Sequence, residues 1–311
     1  MLQGKPVSLD MRQPFTRAAA LAAGVSRSAL RGANFRRVYT GVYLHASVTV
    51  TQLVRIRAAL LIHPSTAYAS HTSAAQVHGV PVPARPEVHV SVYTERDRRR
   101  RHGIRNHVVP PQTPVVVRGG IRISSAVQTF VELGEMLDLV DLVVVGDAFV
   151  RLECFTTDEL RDYCARASHR GAPAARRAAA YVRACVDSPM ESRLRMLIVL
   201  AGLPEPTINH QVYDAAGRLL YRFDLSYPDL RILVEYDGRQ HRDDLDQWDH
   251  DSDRNDWFVA NGWRHVPVFS RGIYRDPAKT LRRVEAALRE RGAALPRRLS
   301  DDWRAHFPGS R

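Results

Sequence analysis

Two apolar segments joined by a short polar turn carry acidic residues at the spacing of strand positions. The segments are Phe223-Asp224-Leu225 and Val234-Glu235-Tyr236-Asp237, and the turn between them contains a proline and an aspartate. Because strand side chains alternate between two faces, Glu235 and Asp237 are expected to share one face. The short turn predicts an antiparallel hairpin that brings Asp224 within a residue of register of Glu235. The sequence therefore predicts three carboxylates on one patch of a sheet.

Carboxylates this close repel one another and do not stabilise a fold by themselves. A hard divalent cation with oxygen ligands would resolve the conflict, and Mg²⁺ (or Mn²⁺) is the natural choice. Such an ion activates water and stabilises charge that develops on a phosphodiester. We expect Asp224 and Glu235 to be its ligands. A solvated strand face is the alternative, which the flanking Leu225, Leu233 and Val234 oppose because they indicate buried strands.

The segments around this hairpin predict an α/β domain over residues 188–295. Ser188-Pro189 is typical of a helix start, and Gly202 of a helix end. Between and after them we expect a helix over 190–201, strands over 207–213, 219–226 and 231–237, a helix over 247–260, a strand over 263–269 and a helix over 276–290.

Three further residues are candidates for the same site. Glu191 lies in the first turn of its helix, where the helix dipole alone favours an acid, so a role in the site is one of two interpretations. His241 is suited to general-base chemistry at neutral pH, and the alternative is an exposed loop histidine. Arg254 is placed to contact phosphate or to clamp a carboxylate, or else forms an ordinary surface salt bridge.

These residues resemble the PD-(D/E)XK nuclease superfamily, and within it the very-short-patch-repair endonucleases. The resemblance covers about residues 188–291 and implies a restriction-endonuclease-like α/β fold. It rests on Asp224, the run Glu235-Tyr236-Asp237-Gly238, His241, the run Asp253-Arg254-Asn255-Asp256, and Gly262-Trp263.

The resemblance implies a catalytic site in which Asp224 and Glu235 hold Mg²⁺. Glu191 would complete the site, Asp237 would support it, and His241 would help to activate water. Two positions depart from the superfamily pattern. Phe223 stands where a proline is common, and Asp237 stands where a lysine would orient the attacking water.

Residues 13–48 predict helix, tight turn, helix and hairpin, which is the order of a winged helix-turn-helix. Thr16 is a good N-cap for the first helix, and Ser26 for a second helix over 27–31. Gly41 is the expected turn of the hairpin.

This region is similar to the winged-helix domain of the AbiEi-type (type IV) antitoxin family, and the similarity extends over about residues 13–150. It is carried by Phe15–Ala18, Gly24–Leu30, Tyr39–Tyr43, Ser70–Ala75 and Gly119–Ser124. The resemblance implies DNA contacts, with Arg27, Ser28 and Arg31 facing the major groove and Arg36 and Arg37 meeting phosphate. A helix-turn-helix used for protein contacts is the alternative.

The middle of the chain predicts a mixed α/β region over 49–155 and a helical spacer over 156–187. The alternation of valines in Val88–Val92 is typical of a half-buried strand. The arginine-dense run Arg96–His102 is interpreted as a phosphate-tracking loop or as a solvated hairpin tip. His71 and His78 are too isolated in the sequence to be predicted as ligands.

Charge and cysteine content narrow the class of partner. The chain has 311 residues, a formal charge of +12 and a pI near 10.1, and such a field attracts polyanions. Nucleic acid is the first candidate and an anionic membrane surface the second, although an arginine-rich composition bias alone would give the same charge. The three cysteines show no CxxC spacing, which fits a reducing compartment and predicts no cysteine zinc site.

The sequence predicts a cytoplasmic protein. Its first twelve residues lack a signal-like apolar run, and the most apolar segment, Leu139–Val145, is too short to cross a bilayer. The expected function is DNA binding with Mg²⁺-dependent endonuclease activity. The alternatives are a non-enzymatic, antitoxin-like DNA-binding regulator with a degenerate nuclease domain, and a partner of a toxin or defence system. The oligomeric state stays open.

Overall fold

The chain has a mixed α/β fold, as its sequence predicts. A computed structural model describes residues 9–238 and 254–309. The chain forms two compact units. The first comprises residues up to 136 together with 167–172, and the second comprises 137–166 and the chain from 173 onward. The division predicted from the sequence into four consecutive parts stays a prediction.

The first unit begins with a small antiparallel sheet and one short helix. The elements are β1 (Phe15–Thr16), α1 (Arg17–Ala22), β2 (Phe35–Tyr39) and β3 (Val42–His45), with strand order β1-β3-β2. Thr16 caps α1 as predicted, because its Oγ1 accepts the Ala19 N–H at 3.1 Å. Gly41 forms the β2–β3 turn with a φ of 86°, a conformation that favours glycine.

The second helix of the predicted helix-turn-helix is not formed. In its place the chain makes one 3₁₀ turn, Ala29–Arg31. Ser26 Oγ accepts the Ala29 N–H at 3.1 Å and also lies 2.8 Å from Ser28 Oγ. The bond to Ala29 is the same kind of N-cap bond that Thr16 makes to α1, but Gly32 is extended, with a ψ of 175°, and ends the helical segment after one turn. The prediction of a helix over 27–31 was therefore wrong, although its serine cap was placed correctly.

A five-stranded mixed sheet forms the rest of the first unit. Its strands are β4 (Tyr68–Ala69), β5 (Val88–Val92), β6 (Ile104–Val108), β7 (Val115–Arg118) and β8 (Ile121–Ser124), in the order β6-β5-β4-β8-β7. The pairs β5–β6 and β4–β8 are parallel, and the others are antiparallel. The helices of this part are α2 (Gln52–Leu60), α3 (His71–His78) and α4 (Ala126–Leu133).

The structure corrects two predictions, one about β5 and one about the arginine run that follows it. All five of its residues are buried, including His89 and Ser91, so it is not half-buried. Its partner β6 runs parallel to it, so the arginine run that joins them is not the tip of a hairpin. Alternation of valines shows that a segment is extended, but it does not show what covers the second face.

The second unit starts with four helices, α5 (Leu139–Arg151), α6 (Thr157–Arg166), α7 (Ala172–Ala179) and α8 (Pro189–Leu200). Helices α5 and α8 are joined by a buried ionic network. Asp147 accepts hydrogen bonds from Arg195 Nη2 at 2.9 Å and from Ser192 Oγ at 2.7 Å. Arg195 is fully buried. This network fixes the start of α8, where Glu191 lies.

A four-stranded sheet with its own helices completes the second unit. The strands are β9 (Thr207–Tyr213), β10 (Leu219–Tyr227), β11 (Ile232–Asp237) and β12 (Arg264–Phe269), in the order β12-β11-β10-β9. Helix α9 is described over 254–260, and α10 (Ser270–Tyr274) and α11 (Pro277–Glu290) follow β12. The predicted antiparallel hairpin of β10 and β11 is confirmed, and β12 adds to it in parallel.

Membrane crossing requires a long apolar helix. None of the helices within the described ranges combines that length with that composition.

Candidate acidic site and histidine cluster

The β10–β11 hairpin brings Asp224 and Glu235 to neighbouring positions. Leu225 pairs with Val234, and the antiparallel register makes Asp224 and Glu235 the next positions along the two strands. Asp224 is half-buried, and Glu235 is 9% exposed. The turn between the strands uses Arg231 in a left-handed conformation, with a φ of 48°.

The carboxyl group of Asp224 has two other acidic side chains near it, Glu191 and Glu235. Burial first, and then the charges of Glu191 and Glu235, raise the pKa of Asp224 to about 7, although Arg254 and Arg222 act in the opposite direction. The three acids from α8, β10 and β11 therefore lie within electrostatic reach of one another. A carboxyl group held close to other carboxylates in this way favours a proton or a cation.

Glu191 takes part in the N-terminal cap of α8. Ser188 Oγ accepts the Glu191 N–H at 3.2 Å, and Glu191 Oε2 accepts the Asp187 N–H at 3.0 Å. Its side chain is nevertheless close enough to raise the pKa of Asp224, and it is 6% exposed. Glu191 thus accepts a hydrogen bond at the start of α8 and also lies close enough to Asp224 to affect its charge.

Glu235 carries two basic neighbours. Arg254, in the first described turn of α9, forms an ion pair with Glu235 Oε1. His265 Nε2, from β12, lies 3.4 Å from Glu235 Oε2. The Arg254 guanidinium also lies 5.2 Å from the centre of the Phe258 ring, a cation–π distance. Arg254 therefore clamps a carboxylate of the site, one of the two functional interpretations of its sequence position.

A cleft of about 450 Å³ opens over these residues. Its polar lining includes Arg222, Asp224, Glu235, Asp237, Arg254 and His265. Carboxylate oxygens are the donors that Mg²⁺ and Mn²⁺ prefer, so Asp224 and Glu235 are of the right chemical type. Among the described residues, however, the group whose ligand atoms lie within 4.8 Å of one another consists of histidines and does not include these acids. Asp237, at the end of β11, supplies a further acid where a lysine was expected. His241 lies outside the described residues.

Sequence reasoning missed His265 because its position depends on the parallel pairing of β11 with β12. His265 pairs with Leu233 in that register, two residues before Glu235, so the two side chains lie on the same face of the sheet. Trp257 and Trp263 pack against Phe223 in a hydrophobic cluster, as expected of core residues.

A second cluster of polar side chains lies in the first unit, and it corrects the prediction that His71 is isolated. Among the described residues, His71, His89 and His107 offer three ring nitrogens within 4.8 Å of one another. The rings of His71 and His107 stack at 3.9 Å, and His89 Nδ1 lies 2.9 Å from His107 Nε2. His78 lies elsewhere, with Nε2 2.9 Å from the Ser124 carbonyl oxygen.

The buried surroundings hold these histidines neutral. Burial, with a smaller contribution from the charge of Arg105, lowers the pKa of His89 to about 4. Burial and then the charges of His89 and Arg105 lower the pKa of His107 to about 3. Burial and then the charge of His107 hold the pKa of His71 well below its usual value. Burial also raises the pKa of Glu132, which accepts the His71 N–H at 2.9 Å, to about 7.

The predicted DNA-contact residues of the N-terminal region are all exposed. Arg36 and Arg37 lie on β2, Arg27 and Ser28 precede the 3₁₀ turn, and Arg31 ends it. Because that turn replaces the expected second helix, Arg27, Ser28 and Arg31 are not displayed on a helix that could enter the major groove. The arginines of β2 retain the exposure that phosphate contacts require.

The arginine run between β5 and β6 borders a basic cleft of about 530 Å³. Arg98, Arg100, Arg101 and Arg105 line it, with Glu87 as the acid of the lining. Arg98 is paired with Glu95 at 2.9 Å. The cleft therefore presents several guanidinium groups together on the first unit.

Comparison with known proteins gives distant relatives whose function is not described. No protein-family profile matches the chain. Two Mycobacterium tuberculosis proteins are each 25% identical to it over 157 residues: uncharacterized protein MT2308 of strain CDC 1551 / Oshkosh and uncharacterized protein Rv2248 of strain ATCC 25618 / H37Rv. The match covers 50% of this chain and 58% of each relative.

Proposed function

We propose that this chain binds DNA and hydrolyses phosphodiester bonds with the help of Mg²⁺ or Mn²⁺. One observation carries the proposal: Asp224 is half-buried beside Glu235 and Glu191, so its pKa is raised. Acids assembled in this way without a compensating cation destabilise a fold. Their juxtaposition at a cleft is explained by a divalent ion and an anionic substrate.

Each acid has a distinct task in this proposal. Asp224 and Glu235 would hold the ion, while Glu191 and Asp237 would support it from the edges of the site. The ion would polarise the phosphoryl group and lower the pKa of a bound water. Arg254 orients Glu235 through its ion pair and contributes positive charge beside the cleft. His241 stays the predicted general base.

The remaining requirement is affinity for DNA, which the charge distribution supports. The formal charge is +12, with exposed Arg36 and Arg37 on β2 and a guanidinium-lined cleft beside the run Arg96–Arg101. Phosphate contacts of this kind give sequence-independent binding that weakens as salt rises.

The proposal is tested by nicking of supercoiled plasmid, single-stranded DNA and mismatched duplex in Mg²⁺ and in Mn²⁺. We expect Asp224→Asn to lower the rate at least about 100-fold, because a metal ligand is lost. Asp229→Asn is the matched control, since Asp229 is an exposed acid in the turn that joins the same two strands. Absence of nicking on every substrate, or equal nicking by wild type and Asp224→Asn, would remove the enzymatic function.

A non-enzymatic DNA-binding regulator, similar to the type IV antitoxins and with a partner in a toxin or defence system, is the second candidate. It is favoured by Asp237 in the place of the expected lysine and by Arg254, which already neutralises Glu235. Gel-shift titrations would separate the two. DNA binding that needs no divalent ion and is unchanged in the double variant Asp224→Asn/Glu235→Gln, without nicking by wild type, supports the regulator.

A further inference from the structure

The three histidines of the first unit are brought together by long-range pairing. His71 is the first residue of α3, His89 lies in β5, and His107 lies in β6. In the parallel register His89 pairs with Arg105 and Ser91 pairs with His107, so the two strand histidines lie on one face, two positions apart. His71 then stacks on His107.

Two ring nitrogens of this cluster are buried without a hydrogen-bond partner. His71 and His89 are each 1% exposed. Within the described part of the chain, His71 Nε2 and His89 Nε2 meet no hydrogen-bonding group. A buried polar atom left unpaired costs about 1–3 kcal/mol, so two in one place call for an explanation. A metal ion bound among the three rings would give such a nitrogen a partner.

The backbone and neighbours of His71 hold its ring in place. His71 has a φ of 51°, a left-handed conformation that is costly for a residue with a side chain. Its N–H donates to Glu132 Oε2 at 2.9 Å, and its Nδ1 lies 3.0 Å from Ser70 Oγ and 3.8 Å from the same carboxylate oxygen. A hydroxyl and a carboxylate behind one ring nitrogen are typical partners of a histidine whose other nitrogen binds a metal.

We propose that His71, His89 and His107 form a binding site for a transition-metal ion of the Zn²⁺ class. Imidazole nitrogen suits Zn²⁺, Co²⁺ and Ni²⁺, whereas Mg²⁺ prefers oxygen. Three protein ligands leave a coordination position open, as in catalytic rather than structural zinc sites.

A cleft of about 310 Å³ lies beside this site. The cleft is lined by His71 and His107 together with Arg85, Arg105, Arg170 and Glu135. Three guanidinium groups around a cation site oppose a bare cation and favour an anionic further ligand, such as a phosphate group. We therefore assign the site a metal ion together with an anion, rather than a metal ion alone.

This site is independent of the proposed nuclease site. It lies in the first unit, and the acids lie in the second. The two differ in donor atoms, so their metals differ as well. Failure of DNA cleavage leaves the histidine site untouched, and failure of the histidine site leaves cleavage untouched.

The test is titration of the full-length chain with Co²⁺, followed by visible absorption, and with Zn²⁺, followed by calorimetry, each with and without inorganic phosphate. We expect one equivalent at the histidine site in wild type and in Asp224→Asn. His107→Gln is expected to weaken this binding at least about 10-fold. His102→Ala is the control for surface imidazoles, because His102 is exposed in the same unit. Equal affinity in wild type and folded His107→Gln would overturn the proposal.

X-ray absorption at the zinc edge decides the question on wild type alone, whatever the variants do. The proposal requires imidazole nitrogens at about 2.0 Å from the ion. A spectrum dominated by sulfur or carboxylate ligands, or the absence of stoichiometric zinc, would contradict it. If phosphate tightens Zn²⁺ binding, the proposed anionic ligand is supported. If phosphate leaves the Zn²⁺ affinity unchanged, the anionic ligand is excluded from the proposal.

Discussion

At the residue scale, Asp224 holds a carboxyl group in surroundings that disfavour its charged form. Its carboxyl has a usual pKa of 3.8, which burial first, and then Glu191 and Glu235, raise to about 7 in the folded chain. Between these two values the folded protein keeps a proton that the unfolded chain has lost. The free energy of unfolding therefore falls as pH rises through this window and levels off above it.

Replacement of Asp224 by asparagine is expected to remove this pH dependence. Asp224→Asn should be more stable than wild type near pH 8, and the difference should shrink near pH 5, where wild type is protonated at this site. Urea unfolding of both proteins at the two pH values, without divalent ions, measures the effect. Asp229→Asn should follow wild type, and parallel pH profiles of wild type and Asp224→Asn would contradict the assigned cause.

At the scale of elements, the contact between α5 and α8 fixes the position of Glu191, the acid that α8 contributes beside Asp224. Asp147 of α5 and Arg195 of α8 form a buried ion pair at 2.9 Å, and Arg195 Nη1 also lies 3.0 Å from Glu205 Oε1. Because Glu191 lies one helical turn before Arg195, this pair sets the position of Glu191 relative to β10.

Loss of one member of this pair is expected to be costly. Arg195→Met removes the partner of a buried carboxylate and should lower the free energy of unfolding by about 3 kcal/mol or more. Denaturant unfolding monitored by circular dichroism gives the value. The control is Arg264→Met, since the Arg264–Glu290 pair is exposed at 3.7 Å and should contribute less than about 1 kcal/mol. Similar losses in the two variants would mean that the buried pair adds no special stability.

The elements that the sequence predicted well are those with local signals. Strands β9 to β11 and helix α8 were recognised from alternation, a serine cap and a following glycine, and the β10–β11 pairing followed from the short turn. The helix expected over 27–31 is reduced to one 3₁₀ turn, because Gly32 is extended directly after Arg31 and ends it. A capping serine shows where a helical segment starts, but it does not show how long the segment continues.

The parts that could not be predicted depend on pairing between distant segments. His89 and His107 meet because β5 and β6 run parallel, and His265 reaches Glu235 because β12 lies beside β11. A single sequence carries no local mark of a parallel pairing. The acidic site was accessible to prediction because both of its central residues lie on one hairpin, whereas the histidine cluster was not.

At the scale of the whole molecule, the exposed arginines are the residues that would contact DNA phosphates in the proposed function. Arg36 and Arg37 are exposed on β2, and further arginines line the basic cleft beside β6. Each phosphate contact releases condensed counterions, so the logarithm of the binding constant falls with the logarithm of the salt concentration.

The double variant Arg36→Ala/Arg37→Ala is expected to weaken DNA binding uniformly across sequences. The slope of the salt dependence should become shallower by about 2, one for each lost phosphate contact. Fluorescence anisotropy over a range of salt concentrations measures it. Arg298→Ala is the control, because Arg298 is exposed but paired with Asp301 at 3.3 Å. An unchanged slope in the double variant would exclude β2 from the DNA interface.

The path of the chain between the two units restricts how such a gene can be recombined. The chain leaves the first unit after Met136, returns for Ala167–Ala172 and then leaves again. A single crossover at any one of the three junctions would join one segment of a unit to the second segment of that unit from a different parent. That segment includes His169, whose ring centre lies 6.3 Å from that of His71. Exchange of the first unit between homologues therefore requires three crossovers, one after Met136 and one on each side of the returning segment.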